Sequence, residues 1–419
     1  MGSGVRRKAS QGGLGPLVLA SLVGSACSSG FLAVPAQLDQ LDQRVALEGA
    51  VEADGWTGSP LWVGLSRVLS DPLPETLSDR QKLVEPGAFR FEAPAGRYRL
   101  TALEDTNENG AWDEGERWAI VGYPEPLALE PGTAKGGIRL AIASKPTVGR
   151  PEPWPEKVVH RRTLGEVVTL DDERFRPESG PKGMWKPVEF LTEEGMGLYF
   201  LTEYREDRTP ILFLHGMGGY PREFSTLVEA LDPERFQPWV LHYPSGLSIE
   251  QLSLYLKRDL DVLQARLRFS RLCLVSHSMG GVVARATLGR YGVEGADSFS
   301  IPLAIALASP FGGVSSARMG VQLSPFVLPV WRDLAPTSVF LKTLFDAPLP
   351  PHTRTRLFAV HAGRPRREVV PLKSQLRSEA VAEAGNRVWT YVAEHAALLH
   401  DAAVVDRVMN ELESCAPAR

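Results

Sequence analysis

Leu272-Cys-Leu-Val-Ser-His-Ser-Met-Gly-Gly281 puts a serine, Ser278, at the point where an apolar run gives way to the helix-forming stretch Val282–Leu288. Leu272 to Val275 read as a short buried strand, and Ser276 and Gly280 stand two residues to either side of Ser278. A strand-to-helix turn this tight needs small flanking residues, because the two backbones approach closely. It also holds its central side chain outward in a strained conformation. The pattern is a nucleophile elbow with serine in place of the first glycine. A Gly-rich turn without catalysis is the other reading of the same ten residues.

Outward from this turn, strands alternate with amphipathic helices. Pro210–His215, Phe236–His242, Arg271–Ser276, Ile301–Ala308, Arg356–His361 and Arg387–Val392 read as strands. Arg222–Leu231, Ile249–Leu267 and Met279–Tyr291 read as helices, and Asp401–Glu413 closes the chain as a helix with Val404, Val405, Val408 and Leu412 on one face. Such alternation implies a mostly parallel sheet covered by helices. An apolar excursion at about 312–351 fits a cap over the sheet's carboxyl edge, with ordinary core helices as the alternative.

A second signature lies upstream, Ile211-Leu-Phe-Leu-His-Gly-Met-Gly-Gly219, an apolar strand ending in His-Gly-x. Together the two motifs resemble the α/β-hydrolase superfamily, specifically bacterial lipases and inositol-deacylase-like hydrolases, over Thr163 to the C-terminus. The resemblance implies an α/β-hydrolase fold with Ser278 as nucleophile. It also implies an oxyanion hole built from the backbone N–H groups of Met217 and Met279, with Gly216 and Gly280 as the loop and elbow glycines. A base must follow the last strand, which leaves His395 and His400. His395 is favoured, because His395-Ala-Ala-Leu-Leu-His-Asp401 resembles the family's His-x-x-Leu-Leu stretch, and His400 would fall at the final helix beside its N-cap Asp401. Where similar lipases carry an aspartate after the penultimate strand, this chain has Gly363-Arg-Pro-Arg-Arg-Glu-Val-Val-Pro371, with arginine in the aspartate's place. Glu368, the nearest carboxylate, becomes the default acid, or else it pairs with Arg366 or Arg367 at the surface.

The substrate class this implies is an ester with a hydrophobic acyl group, or a lipid, cleaved through an acyl-enzyme on Ser278 without a catalytic cofactor. The alternative is a hydrolase-fold surface protein that has lost its acid and serves as a binding or adhesion module.

Residues 44–145 form a different region, short apolar runs separated by Gly/Pro turns, which reads as a small all-β sandwich. Within it, Asp105-Thr-Asn-Glu-Asn-Gly-Ala-Trp-Asp-Glu-Gly-Glu116 matches a twelve-residue calcium loop. The oxygen ligands would be Asp105, Asn107, Asn109, the Ala111 carbonyl, Asp113 and Glu116, with Gly110 at the sharp turn. Its flanks read as strands, so it resembles loops grafted into secreted β-modules, and a solvated acidic turn is the other reading. Residues 146–157, rich in proline, read as a stiff linker to a hydrolase region at 158–419.

Residues 1–27 have the grammar of an export signal: basic Arg6, Arg7 and Lys8, an apolar Leu14–Val23, then small residues. Cys27 directly after them resembles a lipoprotein acylation site, with residues 28–43 as a polar tether. The expected location is the cell envelope by lipid anchor, or secretion, and the anchor is the one membrane attachment expected. Forty-six basic against fifty acidic residues give a net charge of −4, which argues against a polyanion-binding surface and hence against nucleic acid as partner. Three cysteines, Cys27, Cys273 and Cys415, are too few and scattered to suggest a disulfide framework or a zinc site.

Overall fold

The computed structural model describes residues 44–68, 76–83, 85–109, 112–130, 133–144, 162–295, 298–363, 368–385 and 387–416. The expected export signal with Cys27, the tether and the proline-rich linker therefore lie outside the described residues, as do Gly110, Ala111, Arg366 and Arg367.

The N-terminal region is all-β. Its strands are β1 (Arg44–Ala53), β2 (Leu61–Arg67), β3 (Thr76–Leu83), β4 (Ala88–Pro94), β5 (Gly96–Glu104), β6 (Trp118–Val121), β7 (Leu127–Leu129) and β8 (Ala134–Ile142). One sheet has the order β4-β1-β8, and a second has β3-β2-β5-β6 with β7 also on β5. Side-chain alternation supplies the core: Ile138, Leu140 and Ile142 of β8 point inward with Val45, Leu47, Leu61, Val63, Leu65 and Leu100. The polar strand β3 was not legible as a strand. It pairs on one side, with β2, so it needs no continuous apolar face.

Among the described residues, eight more strands make one sheet: β9 (Arg162–Val167), β10 (Met196–Phe200), β11 (Thr209–Leu214), β12 (Phe236–His242), β13 (Arg271–His277), β14 (Ser300–Leu307), β15 (Arg354–His361) and β16 (Val388–Val392). Their order is β16-β15-β14-β13-β11-β12-β10-β9. β10 lies antiparallel to β12 and β9 runs parallel to β10, while all other neighbours are parallel. The crossover of β11 and β12 and the mostly parallel pairing make this an α/β-hydrolase-type sheet.

The period of two along each strand divides the apolar residues between two cores. Leu212, Leu214, Leu272 and Leu274 face one core, with α4 (Ile249–Leu267) and α5 (Met279–Glu294). Ile211, Phe213, Cys273 and Val275 face the other, with the C-terminal helix α11 (Ala402–Leu412). Helix α4 begins where Ser248 accepts the Gln251 N–H, and it buries Leu252, Leu256, Leu260 and Leu263 along one stripe. Asp401 caps α11 by accepting the N–H groups of Ala403 and Val404.

One expectation needs correction, and the structure adds three features that the sequence did not show. Arg222–Leu231 is not one helix but a 3-10 turn, Pro221–Phe224, followed by α3 (Ser225–Glu229); Pro221 fixes the backbone of its first position. Helices α1 (Ser179–Trp185) and α2 (Pro187–Glu193), with β9 and β10, precede the first expected strand. The cap region consists of short helices, α6 (Ser315–Leu323), α7 (Pro329–Leu334) and α8 (Val339–Thr343). Finally, Cys273 of β13 is disulfide-bonded to Cys415, across a sequence separation of 142. One bridge is not the framework that three scattered cysteines argued against; the parallel sheet brings the C-terminal segment to the back of β13, within reach of Cys273.

Candidate active site

The turn after β13 has the geometry its sequence demands. Ser278 adopts φ 53°, ψ −126°, a strained conformation for a residue with a Cβ, and its N–H is anchored to the Leu307 carbonyl at 2.8 Å. A Cβ on Gly280 would lie 2.3 Å from the Leu214 carbonyl oxygen, so only glycine lets α5 start here. Gly216 is equally constrained: its Cβ would stand 2.8 Å from Ser278 Cβ and 3.3 Å from Ser278 Oγ. The serine is consequently wedged between the two glycine-rich loops, with 9% of its surface exposed.

Opposite it, His395 Nε2 is 2.8 Å from Ser278 Oγ. His395 follows β16 by three residues, in a loop tied to β15 by the Ala393 N–H to His361 carbonyl bond. Desolvation of the ring pulls its pKa from 6.5 down to about 4. The imidazole is therefore neutral near pH 7 and able to accept a proton. The other candidate, His400, is engaged elsewhere, with Nδ1 2.7 Å from Thr226 Oγ1.

The structure does not bring Glu368 to His395. Its Oε2 accepts the Leu372 N–H at 3.3 Å, at the start of the short helix α9 (Leu372–Gln375), which α10 (Ser378–Glu383) follows, and His395 Nδ1 is shielded from solvent without a hydrogen-bond partner among the described residues. The expected Glu368–His395 pair is thus corrected. N–H groups at a helix start lack intrahelical acceptors, and the Glu368 carboxylate satisfies one of them.

The two positions expected to donate to an oxyanion are backbone groups beside Ser278. Met279 opens the 16-residue helix α5, so its N–H has no intrahelical acceptor and lies at the positive end of the helix dipole. Met217 lies between Gly216, which abuts Ser278, and Gly218, which has φ 69° and donates its N–H to Ser245 Oγ at 2.8 Å. His215 shapes this loop from behind. Its Nδ1 is 2.9 Å from the Gly216 carbonyl oxygen and its ring stacks on Tyr243 at 4.1 Å, while the Tyr243 hydroxyl donates to the His215 carbonyl.

Two further groups were not singled out from sequence. Glu223 is half-buried beside Gly219 with its Oε2 shielded from solvent, and desolvation raises its pKa to about 7. Asp333 of the cap helix α7 accepts the Ile249 N–H at 2.6 Å, at the N-terminus of α4; burial pushes its pKa up to about 6. Only the fold reveals that α7 ends over α4. Trp331 of α7 packs edge-on against Trp185, with ring centroids 5.7 Å apart.

In the β-region, the acidic loop closes on itself. Asp105 Oδ1 accepts the Asn109 N–H and Oδ2 the Trp62 Nε1–H. Asp113 Oδ2 accepts from Asn107 and Asn109 Nδ2, and Glu116 accepts the N–H groups of Thr106 and Asp113. Among the described residues no group of three or more His, Cys, Asp or Glu side chains is arranged as a metal site.

No protein-family model matches the chain, and no curated protein matches it. Among solved structures, the product of gene lin2722 of Listeria innocua is 17% identical, over 49% of this chain and 94% of that one, with a TM-score of 0.38. A lipase of Bacillus licheniformis in its mature form is 15% identical over 50% and 94%, TM-score 0.35. A phospholipase of Legionella pneumophila in complex with thio-NAD is 16% identical over 36% and 38%, TM-score 0.32. Overlaps this loose carry no chemistry from those proteins to this chain.

Proposed function

We propose that the protein is a serine hydrolase of carboxylic esters with a hydrophobic acyl group. The observation that supports it most directly is the 2.8 Å contact between His395 Nε2 and the Oγ of a serine held at positive φ before a helix. In this reading His395 takes the Ser278 proton as Oγ attacks the ester carbonyl, and the Met217 and Met279 N–H groups hold the oxyanion. The imidazolium then protonates the leaving alcohol, and water activated by the same base releases the acid from the acyl-serine. The apolar helices α6 to α8 provide the surface against which an acyl chain is bound.

Purified protein should be labelled by a fluorophosphonate and should hydrolyse short p-nitrophenyl esters, and Ser278→Ala should abolish both while the protein stays folded. A labelled Ser278→Ala variant would sink the assignment. A second reading, a binding protein on a hydrolase fold, is favoured by the unpartnered Nδ1 of His395; failure of the wild type to react would select it.

Two further assignments belong to the same proposal. The loop from Asp105 to Glu116 binds calcium, its hard oxygen donors being the right chemistry and carboxylates retaining lone pairs beyond those used by the loop's own N–H groups. The chain works outside the cytoplasm, anchored through acylated Cys27. The Cys273–Cys415 disulfide supports export, since such bonds persist in oxidising compartments.

A further inference from the structure

We infer that His277, the residue before the nucleophile, is a positioning residue for the base. Its Nε2–H donates to the backbone carbonyl of His395 at 3.2 Å and holds the base-bearing segment against the end of the nucleophile strand. The inference rests on the proposed serine chemistry and states what orients its base.

The direction of this bond is fixed by chemistry. A carbonyl oxygen only accepts, so Nε2 carries the hydrogen and His277 is held in one tautomer. Burial keeps the ring neutral, its pKa pulled down to about 3. The same donor is therefore present throughout the working pH range.

The anchor is rigid. His277 ends β13, and it pairs with Leu307 of β14. The two imidazoles also touch, with ring centroids 4.9 Å apart and inclined by 40°, so His277 flanks the ring it orients as well as its backbone. The period of two along β13 places His277 on the face of Cys273, the strand residue bonded to Cys415. One strand thus holds the C-terminal segment at two points, by a disulfide near its end and by a hydrogen bond at the base itself.

Among the described residues no carboxylate is hydrogen-bonded to His395. Glu368 is turned to Leu372, and His395 Nδ1 meets no acceptor. In an ordinary triad the acid both orients the imidazole and stabilises its charge. Here the orienting part falls to His277, through the backbone rather than through Nδ1.

The test compares full-length His277→Gln, which keeps an N–H donor, with His277→Leu, which keeps bulk without one. Each is measured for p-nitrophenyl butyrate kinetics, fluorophosphonate labelling rate and thermal unfolding. His277→Leu should lower kcat and the labelling rate together by about 10- to 100-fold, as expected for a misaligned base, with KM little changed; His277→Gln should recover most of the loss. A folded His277→Leu with wild-type kcat overturns the inference, as do equal losses in both variants or an effect confined to KM. Should His277→Leu fail to fold, His277→Asn replaces it, its shorter amide falling short of the carbonyl; equal kcat for His277→Gln and His277→Asn then overturns the inference. A wild type that the probe does not label removes the serine chemistry itself, a failure separable from the others.

Discussion

In the proposed mechanism His395 sets the pH behaviour of the site. With its pKa held near 4 by desolvation, the group loses its proton well below pH 6.5, so the acid limb of kcat/KM should have its midpoint between about 4 and 5. The sign is informative, because a carboxylate reaching Nδ1 would favour the imidazolium and move the limb upward. A midpoint near 7 would show that Glu368 or another acid joins the site in solution. Gly216 gives a steric test at the same scale. With its Cβ position 2.8 Å from Ser278 Cβ, Gly216→Ala must push the nucleophile or the loop aside. A displacement of about 1 Å costs roughly 100-fold in rate, and that loss should appear in kcat while the thermal midpoint stays close to wild type. Full activity in Gly216→Ala would contradict the packing of the two loops.

The elements differ in how they are held. Helix α11 starts on Asp401, whose carboxylate takes two backbone N–H groups, so Asp401→Ala should cost about 1 kcal/mol in a urea titration. An unchanged midpoint would mean that packing of Val404, Val408 and Leu412 alone fixes the helix. The loop between β5 and β6 is held by its own hydrogen bonds and, in our proposal, by calcium. At a hundredfold excess over its dissociation constant, calcium should stabilise the folded protein by about 2.7 kcal/mol. The thermal unfolding of the full chain should therefore rise with calcium and fall with chelator, and Asp105→Ala should lose the response. Esterase turnover should change little on chelation, because serine catalysis needs no metal; no calcium shift in the wild type would leave a solvated acidic turn.

At the scale of the molecule, one covalent bond joins the back of β13 to the C-terminal segment. Closing a loop with a sequence separation of 142 removes unfolded-state entropy worth about 5 kcal/mol in the chain-entropy estimate. Cys273→Ala with Cys415→Ala should lower stability by several kcal/mol and shorten the active lifetime on warming, since the disulfide holds the segment that carries His395. Equal stability of the double variant and the wild type would show that the sheet and α11 hold that segment unaided.

The sequence alone determined the local parts. Strand and helix periodicity located β11 to β16, α4, α5 and α11, and the two glycine-rich motifs located Ser278 and the loop facing it, because small residues at fixed spacing are demanded by backbone geometry within a few residues. Edge strands such as β3 and β9 and the short helices α1 and α2 escaped, since partial burial leaves no strong period. The sequence favoured His395 over His400, and the structure places its ring on the serine; tertiary structure alone decided that Glu368 turns to Leu372, that Cys273 reaches Cys415 and that Asp333 meets the start of α4. These contacts join residues from 4 to 142 positions apart, and their geometry depends on how the sheet and its covering segments fold back on one another, which no local pattern encodes.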